Sequence, residues 1–241
     1  LCKAEHAGPA RITVLQWPDS EFDLSVQKFH RNAGLLDGGL IVLALFVLVT
    51  AIINREWMYV LFAAWLVANL RLGALSAGWD FQWLERSIPS EWVAPMRQLT
   101  IAAYYTLTYA LFWRLFGDDL RHPAHARLLK VAQWTCVLII GYAVVLPFKY
   151  FLPPMWLTAV IGVMVILYLM IHMLVEKRST VAMWYGASLG IAVFANLYEV
   201  IAAALGYKGF IGAVNSVTAA LSSSLMAAFG IAEKMRLERE G

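Results

Sequence analysis

Residues 155–175 read MWLTAVIGVMVILYLMIHMLV, twenty-one consecutive positions without an Asp, Glu, Lys or Arg. As a helix rising 1.5 Å per residue this stretch is about 31 Å long, the thickness of the hydrocarbon core of a bilayer. A helix apolar on every side is buried in a large core or in lipid. The rest of the chain decides between the two. Of its 241 residues 61% are hydrophobic and 15% charged, against roughly 45–50% and 25% in soluble domains. Marking further apolar runs of span length on both sides gives 35–53, 57–77, 96–116, 128–146, 182–205 and 211–231. The expectation is an all-α integral membrane protein, a bundle of seven transmembrane helices.

Loop charge orients such a bundle, because cytoplasmic flanks carry the excess of Lys and Arg. One set of connections, with the carboxyl end, holds ten: Arg55, Arg114, Arg121, Arg127, Lys130, Lys177, Arg178, Lys234, Arg236 and Arg239. The opposite set holds four, Arg86, Arg97, Lys149 and Lys208. The amino end is therefore expected outside and the carboxyl end in the cytoplasm. Aromatic rings at span edges fit this division, with Trp79, Trp83, Trp92, Tyr150, Trp156 and Tyr207 outside and Trp57 and Trp184 inside.

Three segments follow from these boundaries: an extracytoplasmic stretch 1–34, a membrane domain 35–231 and the start of a cytoplasmic helix at 232–241. Residues 11–17 have strand character and Pro18-Asp19 reads as a turn, so 1–34 is expected to be the end of an outer domain, a lid or an unstructured leader. The connection 78–95, with Asp80, Glu85, Glu91, Pro89 and Pro95, reads as a surface loop or a short interfacial helix near 81–84.

The net charge of +3, without a basic run interleaved with aromatics, argues against a nucleic-acid partner. Two cysteines, Cys2 and Cys136, form neither a disulfide framework nor a metal pattern. The His122–His125 pair has H-x-x-H spacing without an accompanying ligand cluster, and His172 reads as interfacial, so no metal is expected. Span 211–231 has no lysine for a retinal Schiff base, and no metalloprotease, G-x-S-x-G, phosphate-loop or dinucleotide motif occurs. No catalytic residue and no cofactor is expected from this segment.

Polar side chains inside spans mark function or partnership. Asn69 and Arg71 lie in the second span, Asn196 and Glu199 in the sixth and Asn215 in the seventh. Counting rises puts Arg71 about 21 Å and Glu199 about 25 Å above the inner face, with Asn215 about 6 Å below the outer one. All fall in one outer layer. The layer is expected to be a structural Arg71–Glu199 pair completed by Asn215, or a small outward-facing ligand pocket walled by Tyr104 and Tyr105, or two charges reaching separately to headgroups. Small residues recur at Gly212, Ser216, Ala220, Ser224 and Ala228 and at Gly186 and Gly190, a pattern for close helix packing or a homodimer face.

At the carboxyl end the last span runs on without a break, with Glu233 and Arg236 one turn apart. Such a helix can transmit rotation or piston motion. Asn54-Arg55-Glu56-Trp57-Met58-Tyr59, Gly78-Trp79-Asp80-Phe81-Gln82-Trp83-Leu84, Leu111-Phe112-Trp113-Arg114-Leu115-Phe116 with Arg121-His122-Pro123, and the exit run from Met226 to Arg239 resemble the bacterial seven-transmembrane receptors with diverse intracellular signalling modules, the DISM family. The resemblance covers about residues 32–240. It implies a multi-pass sensor in a bacterial inner membrane, with a β-rich carbohydrate-binding-like domain upstream and a diguanylate cyclase or histidine kinase downstream. The alternative function is a small-solute transporter or membrane-enzyme subunit using the polar layer, and a third is a structural anchor.

Overall fold

The computed structural model describes residues 18–76, 82–83, 86–205 and 211–240. Among these, seven helices account for nearly everything: α1 (Asp19–Asn54), α2 (Trp57–Ser76), α3 (Ser90–Phe116), α4 (Pro123–Val145), α5 (Phe148–Glu176), α6 (Thr180–Leu205) and α7 (Ile211–Glu240). The only sheet among the described residues pairs β1 (Gln82–Trp83) antiparallel with β2 (Arg86–Ser87). Of the two readings of 78–95, a surface loop or a short helix near 81–84, this pairing rules out the helix.

Each helix packs on the next, and α7 returns against α1 and α2, closing the bundle. The core inside the ring is aromatic, with Phe62, Phe112, Phe116 and Tyr185 almost wholly buried together with Leu66, Leu111 and Leu169. A second cluster of Ile139, Phe151 and Met155 fills the space between α3, α4 and α5. The outward faces are apolar as well: Val144, Leu157, Val160, Ile171 and Phe194 are exposed. A bundle greasy on both its inside and its outside suits lipid, where close packing and internal hydrogen bonds rather than the hydrophobic effect hold helices together.

By length and composition α4, α5 and most of α2 and α6 are apolar enough to cross a membrane, and Gly38–Ile53 within α1 is a shorter apolar stretch. The chain is thus a multi-pass helical membrane protein. Helix α3 falls short on composition because of its threonines and tyrosines, yet the structure satisfies many of those hydroxyls internally. Thr100 and Thr108 Oγ1 donate to the carbonyls of Met96 and Tyr104, and Tyr109 donates to that of Leu129.

Several boundaries move. The strand expected at 11–17 lies outside the described residues. Pro18 opens a helix rather than a turn: its extended backbone precedes α1, whose first turns carry Asp19, Glu21 and Asp23, acids that favour a helix amino end. Residues 19–34 are thus helical and continuous with the first apolar stretch. Helix α3 starts at Ser90, after Pro89 and with Glu91 in its first turn, and α4 starts with Pro123 at its first position under a His122 cap. Pro153 and Pro154 lie inside the second turn of α5. Arg55, closing α1, has φ 54°, a left-handed backbone that turns the chain tightly into α2.

Candidate functional site

Helix α2 is almost entirely apolar, and its inward face presents Phe62, Trp65, Leu66 and then Asn69 at helical spacing. Asn69 is buried. Its Nδ2 donates to the Ala220 carbonyl oxygen at 3.1 Å and to Ser224 Oγ at 2.9 Å, both on α7. Ser224 Oγ donates in turn to the same carbonyl at 2.7 Å, and Ser223 Oγ does so at 3.1 Å. Small side chains at positions 219, 220, 223 and 224 let α7 come close enough to α2 for one amide to bridge them.

Beside this bridge is a cleft of about 40 Å³ with Asn69, Tyr104, Ala192, Asn196, Ala219 and Ser223 in its wall. Four helices, α2, α3, α6 and α7, meet there. The space has room for a few water molecules, each needing roughly 10–15 Å³ of such volume, and is too small for a sugar. Asn69 is buried and Asn196 exposed, so the cleft runs from the interior to the flank of the bundle. Asn196 Nδ2 donates to the Ala192 carbonyl one turn earlier at 2.7 Å.

The Tyr104 ring stacks on Trp65 at 6.0 Å between centroids, and Trp65 stacks on Phe62 at 5.9 Å. Trp65 Nε1 donates to Thr108 Oγ1 at 2.9 Å, and the Tyr185 hydroxyl donates to the Thr108 carbonyl at 3.0 Å. These contacts tie α2, α3 and α6 into one polar and aromatic girdle below the cleft.

The expected site residues divide accordingly. Asn69, Asn196 and Tyr104 come together. Tyr105, the next residue, points about 100° away: its hydroxyl is 2.9 Å from Thr135 Oγ1 on α4, which donates to the Ala132 carbonyl at 2.6 Å. Arg71 is buried at 4% exposure, but two residues from Asn69 it faces the other side of α2 and is not in the cleft wall. The side chains of Glu199, Asn215, Gly212 and Ser216 lie outside the described residues, so the pair Arg71–Glu199 is not placed. Of the small-residue stripes, Ala220 and Ser224 are buried against α2, Ala228 is half-buried, and Gly186 faces Met170 of α5. Gly190 has open space where a side chain would be.

Sequence reasoning singled out Ser224 only as a small residue and missed Ser223, Trp65, Thr108 and Tyr185. The run Ser222-Ser223-Ser224 in an apolar helix was the available signal, since buried hydroxyls in lipid seek partners on neighbouring helices.

The fold and this buried polar junction define a helical membrane protein whose last helix is fastened to its second. The family described as 7TM diverse intracellular signalling matches residues 32–234, and the chain belongs to it. It is a sensor-type receptor domain. No curated protein and no solved structure matches the chain.

Proposed function

We propose that the chain relays a stimulus from outside a bacterial inner membrane to a cytoplasmic diguanylate cyclase or histidine kinase, with α7 as the moving element. All seven helices would span the bilayer, amino end out and carboxyl end in. The observation that carries this reading is that α7 both meets Asn69 in the bundle and continues as the charged run Glu233 to Glu240. A change in how Ala220 and Ser224 sit on Asn69 moves the end of the same rigid rod. Supporting the orientation, the basic connections lie at one end: Lys177 Nζ, from the α5–α6 turn, donates to the Asp119 carbonyl of the α3–α4 loop at 2.7 Å. Lys234 of α7 is close enough to Asp118 to act on its carboxylate.

The small cleft favours a relay over a solute passage. It is the slack that lets α7 shift against α2, α3 and α6, and a ligand acts on it from the outer side, where Arg71, Glu199 and Asn215 are grouped by depth. Filling the slack tests this. Ala219→Leu, made in the protein with its natural flanking sequence, is expected to shift cyclic diguanylate synthesis or autophosphorylation by about five-fold or more, the range of a coupling free energy of about 1–3 kcal/mol. Unchanged output from a variant still correctly inserted in the membrane refutes the relay. Absence of any cyclase or kinase domain in the coding sequence after Gly241 refutes the proposed output.

A further inference from the structure

At the opposite end of the bundle from the cleft, three imidazoles form a row. His122 and His125 are one turn apart at the start of α4, with ring centroids at 5.6 Å. The antiparallel return of α5 brings His172 onto His125 at 4.3 Å. His172 Nδ1 is 3.0 Å from Glu176 Oε1. His122 Nδ1 accepts from the Ala124 amide at 3.4 Å, capping α4. Among the described residues no three His, Cys, Asp or Glu side chains are placed to hold a metal ion; an imidazole takes up a proton near neutral pH.

We propose that this histidine row is a proton-operated clasp joining the start of α4 to the end of α5. With the rings neutral, His122 keeps its acceptor nitrogen on the Ala124 amide and His125 rests against His172. Protonated at Nδ1, His122 has no lone pair for the cap, and its charge meets the positive end of the α4 dipole. A second charge on the His125–His172 pair is repelled across 4.3 Å. The groups facing His125 are His122 from the loop side and His172, Glu176 and Lys177 from α5. Glu176 sets its carboxylate 3.0 Å from His172 Nδ1, while partial burial first, and then His172, His122 and Lys177, oppose a charge on His125. The loop that bears His122 also carries Asp119, held by Lys177 at 2.7 Å, and Asp118, beside Lys234 of α7. Acidification on this side of the membrane therefore unseats the loop from α5 and loosens its grip on the exit helix.

Spin labels at Arg127→Cys and Val175→Cys, in a chain with Cys2 and Cys136 replaced by serine and reconstituted in nanodiscs, read the clasp directly. Between about pH 8 and about pH 5, the range in which imidazoles change charge, the distance distribution is expected to gain a longer population. The His122→Gln, His125→Gln, His172→Gln triple variant is expected to keep one distribution throughout. The single variant His125→Asn, the milder change, is expected to lose most of the shift. An unshifted distribution in the otherwise wild-type chain, or an equal shift in the triple variant, overturns the proposal. No output domain enters the measurement, so failure of the clasp leaves the relay reading standing, and failure of the relay leaves the clasp measurable.

Discussion

Asn69→Ala removes the bridge between α2 and α7, and its effect can be worked out from the contacts. Two hydrogen bonds are lost, to the Ala220 carbonyl and to Ser224 Oγ. Interhelical bonds of this kind in lipid average about 0.6 kcal/mol and reach about 1.7. Nothing is orphaned, because Ser224 Oγ still donates to the Ala220 carbonyl at 2.7 Å, so no full desolvation penalty is added. Deleting the amide, a group of roughly 30 Å³, also widens the neighbouring cleft; at ~24 cal/mol per Å³ this adds at most about 0.7 kcal/mol, less if water enters. The expected destabilisation is about 2 kcal/mol. Asn69→Asp is expected to be worse, since an ionised carboxylate is acceptor-only and would face a carbonyl oxygen. The assay is reversible unfolding of the chain in bicelles, run as a double-mutant cycle with Ser224→Ala. A coupling energy of about 0.6–1.7 kcal/mol is expected. A coupling indistinguishable from zero would mean that the two side chains do not meet, and α7 would lose its anchor in the proposed relay.

Gly162 on α5 lies directly under the Tyr105 hydroxyl, which an added Cβ would overlap, and that Cβ would also fall 2.6 Å from Thr135 Oγ1. Gly162→Ala, favourable by about 1 kcal/mol in an unobstructed helix, should instead destabilise by about 1–3 kcal/mol, and Tyr105→Phe in the same chain should recover part of the loss in thermal unfolding; additive effects would show that the two sites are not in contact. In the α3–α4 loop, a hydrogen bond from Arg121 at 2.7 Å, and then its charge, hold the Asp118 carboxyl below its ordinary value of 3.8. The folded value being the lower one, the contribution is present above pH 3.8 and fades as pH falls through the folded value. A carbon-13 titration of Asp118 should show a midpoint below 3.8 that returns upward in Arg121→Gln; an unmoved midpoint would assign the shift elsewhere. A cysteine at Arg121, in the same Cys-free background, should react with an impermeant maleimide only from the cytoplasmic face of oriented vesicles, and labelling from outside would invert the proposed topology.

How far the sequence could be read depended on whether the question concerned depth or rotation. Depth follows from counting at 1.5 Å per residue, and it grouped Arg71, Glu199 and Asn215 in one outer layer without any knowledge of packing. Rotation about each axis does not follow from counting. Tyr104 and Tyr105 are equivalent in depth, yet one lines the cleft and the other bonds Thr135 across α4. Arg71 and Asn69 differ by about 200° around α2, so grouping them by depth joined residues that face apart. Helix starts were misread where a proline has two meanings: Pro18, read as a turn, and Pro89, read as part of a surface connection, precede helices as their opening signals.

The histidine row shows the same limit from the other side. His122 and His125 were visible as a pair, and His172 stood apart by 47 positions. What unites them is the register of the α4–α5 hairpin, which reverses at Leu146 and Pro147. Residues equidistant from that turn face each other, and 122 and 172 are each about 25 positions from it. A rule follows for helical hairpins in lipid: ionisable residues symmetric about a short turn should be treated as neighbours before they are dismissed singly. Applied to α6 and α7, whose helices flank the connection 206–210, the rule pairs positions whose numbers total about 416. Asn196 then falls opposite residue 220, and both line the same cleft. Glu199 falls opposite 217, about half a turn from Asn215. Glu199 thereby belongs to the α6–α7 hairpin, whose second helix is the one the relay moves. A Glu199→Gln change should therefore be read at the end of α7 as well as at the outer surface.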